Sequence, residues 1–147
     1  LASLLLLVGG GFLAASPAQA VTCYGDYCSN KDPPATGCAA GAWTQHAIDV
    51  YFYRYIWSPT KDYAGRLELR GSNTCGSTQW GRFTPVNGGF SYRIRAEQPE
   101  TGYVTDWQHA NEWQTAWTNQ IYSPTKCVRI RMDVFASTAE TVYTHCI

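Results

Sequence analysis

Residues 127–135 read CVRIRMDVF, and in this stretch apolar and charged side chains alternate with a period of two. A β-strand presents side chains to one face at that spacing, so one set would face a core and the other solvent. The inward set is Val128, Ile130, Met132 and Val134, and the outward set is Arg129, Arg131 and Asp133. Alternation with one polar face is typical of antiparallel sheets.

The same alternation recurs along the chain and predicts a domain built mainly of β-strands. We expect further strands at residues 46–57, 66–70 and 90–97, and shorter ones near residues 79–84 and 138–146. Six or seven such strands must bury an apolar face against another layer. The sequence therefore predicts an all-β fold, either a small antiparallel sandwich or a barrel.

One stretch, residues 106–118, is compatible with two structures. Trp107, Ala110, Trp113 and Trp117 have helix-compatible spacing, but the three tryptophans are also all odd-numbered and would share one face of a strand. The Gln, Ala and Glu content favours a helix, whereas the neighbouring β-pattern favours a strand. The sequence leaves both open.

Residues 1–20 have the pattern of a secretory signal peptide. Residues 1–15 are apolar except for Ser3, and a small-residue cleavage site follows at Ala18-Gln19-Ala20. The apolar run is shorter than the roughly 20 residues that span a bilayer. We expect cleavage after Ala20, leaving residues 21–147 as one secreted, extracellular domain without a membrane span.

Six cysteines follow the predicted signal peptide: Cys23, Cys28, Cys38, Cys75, Cys127 and Cys146. An even number in an exported chain predicts three disulfides, and the sequence does not choose among the pairings. Three of the six lie within the turn-rich residues 21–41, so we expect a disulfide-tied N-terminal segment. The spacing Cys23-x4-Cys28 lacks the C-x2-C pattern of a zinc knuckle, and we expect no metal site.

Three motifs in the chain are similar to those of a known family. They are CYGDYC at residues 23–28, continuing through KDP (31–33) to TGC (36–38); ELR (68–70) before NTC (73–75); and WGR (80–82). From about Cys23 to Cys127 the chain resembles the YjfA-like family of secreted bacterial domains of unknown function, with Asn73-Thr74-Cys75 in place of a Ser-Pro-Thr-Cys pattern. The resemblance implies secretion and disulfides, and it implies no reaction.

The charge balance and the motifs argue against several function classes. Eleven basic and eleven acidic residues cancel, whereas general nucleic-acid binders are usually strongly basic. We find no nucleophile elbow and no phosphate-binding glycine loop, so we expect no catalytic residue and no cofactor. The histidines are His46, His109 and His145. A small secreted hydrolase or nuclease that uses His46 or His109 is the first alternative to a binding function.

Two sets of residues are candidates for ligand binding. The first is an aromatic row expected on one strand face, Tyr51, Tyr53, Tyr55 and Trp57. Such rings can stack on sugars or pack against a protein. The second is a set of outward arginines, Arg93, Arg95, Arg129 and Arg131, which Arg66 and Arg70 would join if their strand is a neighbour. Arginine favours bidentate contacts with phosphate or carboxylate.

These surfaces, without a convergent catalytic set, predict a secreted interaction protein that acts at or outside the cell surface. The expected partners are a cell-wall polysaccharide, another anionic envelope polymer or a protein, and not a nucleic acid. A second alternative is an inhibitor whose disulfide-tied residues 23–38 plug a partner's cleft.

The export prediction can be checked on protein recovered from the culture medium. We expect intact-mass and peptide mapping to give a chain that begins at Val21. An alkylating reagent should label none of its cysteines until a reductant is added, because all six are expected in disulfides. Reactive thiols in the native protein, or retention of residues 1–20, would contradict the prediction.

Overall fold

A computed structural model describes residues 20–147, and the predicted signal peptide, apart from Ala20, lies outside the described residues. A 3-10 helix at Gly25–Cys28 comes first. The strands that follow are β1 (Trp43–Phe52), β2 (Asp62–Gly71), β3 (Thr78–Pro85), β4 (Ser91–Gln98), β5 (Tyr103–Val104), β6 (Gln108–Ala110), β7 (Ala116–Trp117), β8 (Ile121–Tyr122), β9 (Arg129–Phe135) and β10 (Ala139–Tyr143). Within the described range, none of the helical structure has the length and hydropathy of a membrane-spanning helix.

The strands are divided between two antiparallel sheets. In sheet A, β1, β2 and β3 lie side by side, and the short strands β7 and β8 both pair with β3. In sheet B, β10, β9 and β4 lie side by side, and β5 and β6 both pair with β4. Neither sheet closes on itself. The predicted all-β fold is confirmed, in its sandwich form.

The core lies between the two sheets and is built from the apolar set of each alternating strand. Its large buried side chains include Phe52, Leu67, Leu69 and Phe83 from sheet A and Tyr92, Ile94, Ile130 and Met132 from sheet B. The rings of Phe83 and Tyr92 meet edge to face at 4.8 Å. The buried hydroxyl of Tyr92 donates a hydrogen bond to the carbonyl of Gln114, so its polar tip is satisfied.

The first strand is shorter than predicted. β1 ends at Phe52, and the N–H of Ser58 donates to the carbonyl of Tyr55 at 3.0 Å to close a turn. Ile56, which lies within the predicted strand at residues 46–57, is 74% exposed. The alternation fails at Arg54, whose guanidinium pairs with the carboxylate of Asp62 at 2.6 Å instead of entering the core.

Residues 106–118 are neither one helix nor one strand. β6 pairs with β4 in sheet B, and β7 pairs with β3 in sheet A, so the chain crosses between the sheets here. The exposed Trp113 lies in the connecting turn with a φ of 67°. Because the chain crosses between the sheets here, the tryptophan spacing reflects neither a helix nor a single strand, although it is compatible with both.

The six cysteines form three disulfides, as predicted. Cys23–Cys28 closes the start of the N-terminal segment, and Cys38–Cys75 ties that segment to the turn between β2 and β3. Cys127–Cys146 joins the chain just before β9 to the chain just after β10. The first two disulfides pack with the buried ring of Trp80. The predicted disulfide-tied N-terminal segment is thus confirmed, and it covers part of the outer face of sheet A.

Gly81 on β3 provides a test of the sheet packing. A Cβ at this position would lie 2.6 to 3.0 Å from three side-chain carbons of Ile130. We expect Gly81→Ala to lower the free energy of unfolding by about 1–3 kcal/mol, because the added methyl overpacks the core. Urea unfolding curves measure the loss.

Two further variants sharpen this test. In Gly81→Ala/Ile130→Ala, which removes all three of these Ile130 carbons, the loss should be smaller than the sum of the single changes. Gly76→Ala is the matched control, because a Cβ there meets nothing within 4 Å. Equal stabilities of Gly81→Ala and Gly76→Ala would contradict the described packing.

Candidate functional site

The four candidate arginines of strands β4 and β9 lie together on the outer face of sheet B. Arg93 and Arg95 are on β4, Arg129 and Arg131 are on β9, and Arg95 lies directly opposite Arg131 in the antiparallel pair. The residues between them point into the core, so strand alternation turns the arginines outward. We call the surface formed by these four residues the arginine face.

Asp133 on β9 anchors one half of the arginine face. Its carboxylate accepts hydrogen bonds from Nε of Arg93 at 2.8 Å, from Nε of Arg131 at 3.0 Å and from the hydroxyl of Thr141 at 2.8 Å. Burial by itself raises the pKa of Asp133, but these hydrogen bonds and the charge of Arg131 outweigh it and hold the pKa below its ordinary value. The carboxylate is therefore ionised at neutral pH and orients both guanidiniums.

Glu97 on β4 anchors the other half. Its carboxylate accepts hydrogen bonds from Nε of Arg95 at 2.9 Å and from Nε and Nη2 of Arg129 at 3.0 and 2.9 Å. The side chains of Glu97 and Asp133 are both 7% exposed, whereas those of the four arginines are between 21% and 34% exposed. Four positive charges thus overlie two buried negative charges, and the surface that meets solvent is basic.

The carboxylates engage only part of each guanidinium. A guanidinium carries five N–H donors, and the carboxylates bind through Nε and Nη2. Within residues 20–147, the Nη1 atoms of these four arginines have no hydrogen-bond partner. Each arginine of the face therefore keeps donors for the charge-assisted hydrogen bonds that bind phosphate and carboxylate groups.

Two aromatic rings hold the guanidiniums in place. The ring of Trp107 lies 4.2 Å from the guanidinium carbon of Arg93 and 4.4 Å from that of Arg95. The ring of Tyr143 lies 4.2 Å from the guanidinium carbon of Arg129. Each such cation–π contact contributes about 0.5–2 kcal/mol. The arginines are thus ordered before a ligand arrives, which reduces the entropy lost on binding.

Arg66 and Arg70 are not part of the arginine face, because the condition that their strand lies beside β4 or β9 is not met. They lie on β2, which belongs to sheet A. There Arg70 donates to the hydroxyl of Thr44 at 2.6 Å and contacts the carboxylate of Glu68. The alternating pattern of β2 is the same as those of β4 and β9. Such a pattern therefore does not predict which sheet a strand joins.

The predicted aromatic row does not share one strand face, because β1 ends at Phe52. Tyr51 lies on the strand and its ring contacts that of Tyr63 at 5.4 Å. Tyr53 lies beyond the strand, with the ammonium of Lys61 5.0 Å from its ring. The two rings thus have separate surroundings.

The other two members of the row, Tyr55 and Trp57, lie in the turn between β1 and β2. Their rings stack at 5.4 Å with planes 4° apart. They are 51% and 77% exposed. A role of these four rings in ligand binding stays a prediction, now for separate sites and not for one platform.

A cleft that the sequence did not indicate adjoins the arginine face. It has a volume of about 650 Å³, and its lining includes Asp26, Ser29, Gln98, Thr101, Tyr103 and Tyr122. A smaller cavity of about 290 Å³ includes Arg95, Arg129 and Arg131 and shares Gln98, Gly102 and Tyr103 with the cleft. The cleft and the arginine face are therefore continuous around the turn between β4 and β5.

The sequence did not predict the cleft, because its walls come from three stretches that are far apart in the chain. The N-terminal segment supplies Asp26 and Ser29, the end of β4 and the following turn supply Gln98, and β8 supplies Tyr122. Short strands such as β5 and β8 are too brief to show a period. The Pro99 and Gly102 turn signal marks one wall, and nothing local marks the other two.

Two of the three histidines lie together, and the third lies apart. His46 on β1 stacks on His145 with ring centroids 4.3 Å apart, and burial, followed by the charge of His145, lowers the pKa of His46. His109 lies on β6, opposite Arg93. Since His145 follows β10 and β6 lies across β9 and β4 from it, about three strand spacings, roughly 14 Å, separate the two places. His46 and His109 therefore do not share one site, and the hydrolase or nuclease alternative, which uses one or the other, stays a prediction.

Comparisons of the chain with family models, with curated proteins and with solved structures gave no match. The resemblance to the YjfA-like family therefore stays a prediction, as does the inhibitor alternative. The surface chemistry of this chain is the basis for its proposed function.

Asp133 should make stability fall in acid. The pKa of Asp133 is lower in the folded protein than in the unfolded chain. The contribution of its carboxylate to the free energy of unfolding is therefore complete above the unfolded pKa of about 3.9, and it is lost as pH falls through the lower folded pKa. We expect Asp133→Asn to start from a lower free energy of unfolding and to lose less of it between about pH 5 and pH 2. Urea unfolding across this range measures both effects.

The matched control is Asp26→Asn, which removes an exposed acid outside the arginine face. It should retain the acid-dependent loss that wild-type protein shows. An identical pH dependence in Asp133→Asn and wild type would contradict the role given to the buried carboxylate.

Proposed function

We propose that this chain is a secreted binding protein that acts outside the cell and recognises an anionic polymer of the cell envelope through its arginine face. The observation that carries the proposal is the set of four ordered arginines over only two buried carboxylates. Three disulfides are compatible with export. The described residues add no membrane-spanning helix to this picture.

The spacing of the arginines suits a polymer better than a single small anion. Successive outward residues lie about 6.6 Å apart along a strand, and neighbouring strands lie about 4.8 Å apart. Each guanidinium can therefore meet a different acid group of one extended chain. Groups linked in one polymer bind at high effective concentration, so several weak contacts add to a useful affinity.

The local character of the positive charge favours an envelope polymer over nucleic acid. The whole chain has eleven basic and eleven acidic residues and no net charge. A general nucleic-acid binder gains its affinity from many basic contacts along the phosphate backbone. Here four of the eleven basic residues form the arginine face, and the planar guanidinium matches both phosphate and carboxylate groups.

Removing two arginines tests the proposal. We expect calorimetry with poly(glycerol phosphate) to show binding that weakens as salt rises, since the contacts are ionic. The Arg93→Ala/Arg129→Ala variant should bind at least about tenfold more weakly, a loss of about 1.4 kcal/mol or more. Circular dichroism and thermal unfolding establish that the variant is folded.

Arg66→Ala is the control for location, because it removes one arginine charge from the other sheet. It should bind as wild type does. Equal binding by the double variant and wild type, or salt-independent binding, would remove the arginine face from the proposal.

A further inference from the structure

The cleft beside the arginine face has the dimensions of a small-ligand site. Its volume of about 650 Å³ falls in the range of roughly 300–1,000 Å³ that such sites occupy. It lies between the N-terminal segment and the turn after β4, at one end of the sandwich. One or two units of a polymer would fit, with the remainder passing over the arginine face.

The lining of the cleft has the chemistry that a sugar ring needs. Tyr103 and Tyr122 offer ring faces for the apolar C–H surface of a sugar, and their hydroxyls offer polar tips. Ser29 and Thr101 add hydroxyl groups, and Asp26 adds a carboxylate. Among residues 20–147, the Asp26 carboxylate has no hydrogen-bond partner, so it can accept from sugar hydroxyls.

The walls of the cleft are held rigidly before any ligand arrives. The Cys23–Cys28 disulfide encloses Asp26, and the hydroxyl of Ser29 accepts a hydrogen bond from the N–H of Tyr122 at 3.0 Å. On the opposite wall, Gln98 donates to the hydroxyl of Ser123 at 2.6 Å and accepts from that of Thr101 at 2.6 Å. A preformed cleft loses little entropy on binding.

The signs of charge differ between the two parts of the surface. The charged residue that lines the cleft is the acid Asp26, whereas the adjoining cavity is lined by three of the four arginines, Arg95, Arg129 and Arg131, together with Glu97. An anionic group would be repelled in the cleft and attracted at the arginine face. A neutral polyhydroxyl unit meets no such repulsion in the cleft, and its hydroxyls can donate to the carboxylate of Asp26. A ligand that carries sugar rings as well as acid groups therefore suits both parts of the surface.

We infer that the cleft binds a sugar unit and that the ligand is a sugar-bearing anionic polymer, not a bare polyanion. This inference rests on the proposed function, which it deepens by naming the ligand class. Tyr103 and Asp26 contact the sugar, and the arginine face binds the acid groups on either side of it.

Calorimetry with matched polymers tests the inference. The probes are poly(glycerol phosphate) without sugar, the same polymer carrying glucose, the same polymer carrying N-acetylglucosamine, and a polyuronate. At least one sugar-bearing polymer should bind about tenfold or more tightly than the bare polymer. Equal affinity for all four probes would overturn the inference while leaving the proposed function intact, whereas binding of none would overturn both.

Variants of two exposed cleft residues test whether the preference for sugar-bearing polymer arises in the cleft. Tyr103→Ala and Asp26→Asn should each reduce the preference for sugar-bearing polymer at least about fivefold and leave affinity for the bare polymer unchanged. Arg93→Ala/Arg129→Ala should weaken both. Tyr63→Ala is the matched control, because it removes a tyrosine of similar exposure, 37% against 38% for Tyr103, from β2 of the other sheet. A sugar preference that survives both cleft variants would place the sugar elsewhere and refute the assignment.

Discussion

The pairing of β4 with β9 governs both sides of sheet B. Its register places Ile94 opposite Met132 and Arg95 opposite Arg131, so one set of pairs fills the core and the next set forms the arginine face. A shift by one residue would exchange the two sets and bury the guanidiniums. The apolar core therefore fixes the arrangement of the arginines, and the surface chemistry follows from the packing beneath it.

The buried acids resolve an electrostatic conflict that this register creates. Four arginines on adjacent strands repel one another, and like charges directly opposite are destabilising. Glu97 and Asp133 each lie between an arginine of β4 and one of β9. Burying a carboxylate is costly unless it is paired and hydrogen-bonded, and here each carboxylate has at least two donors. The arrangement orders the guanidiniums and still leaves donors facing solvent.

The N-terminal segment links the disulfides to the cleft. Its cysteines pack on Trp80, and its backbone pairs with the chain before β8, where the N–H of Asn30 donates to the carbonyl of Gln120 at 2.8 Å. A turn-rich stretch with little apolar surface would not hold such a position alone, because too few contacts offset its conformational entropy. Covalent ties and backbone hydrogen bonds give the cleft a firm wall.

The sequence by itself predicted the six longer strands, with the first one too long, and the set of disulfide cysteines, because period-2 alternation and cysteine count are local or additive properties. It also placed Arg93, Arg95, Arg129 and Arg131 on outward positions. Only the tertiary structure decided that β2, with Arg66 and Arg70, joins the other sheet, that β1 ends at Phe52 with Arg54 paired to Asp62, and that residues 106–118 cross between layers. The tertiary structure also decided the cleft, since Asp26, Tyr103 and Tyr122 come together only through the fold. A local pattern records which face of a strand is buried, but partner choice depends on free energies summed over contacts far apart in the chain.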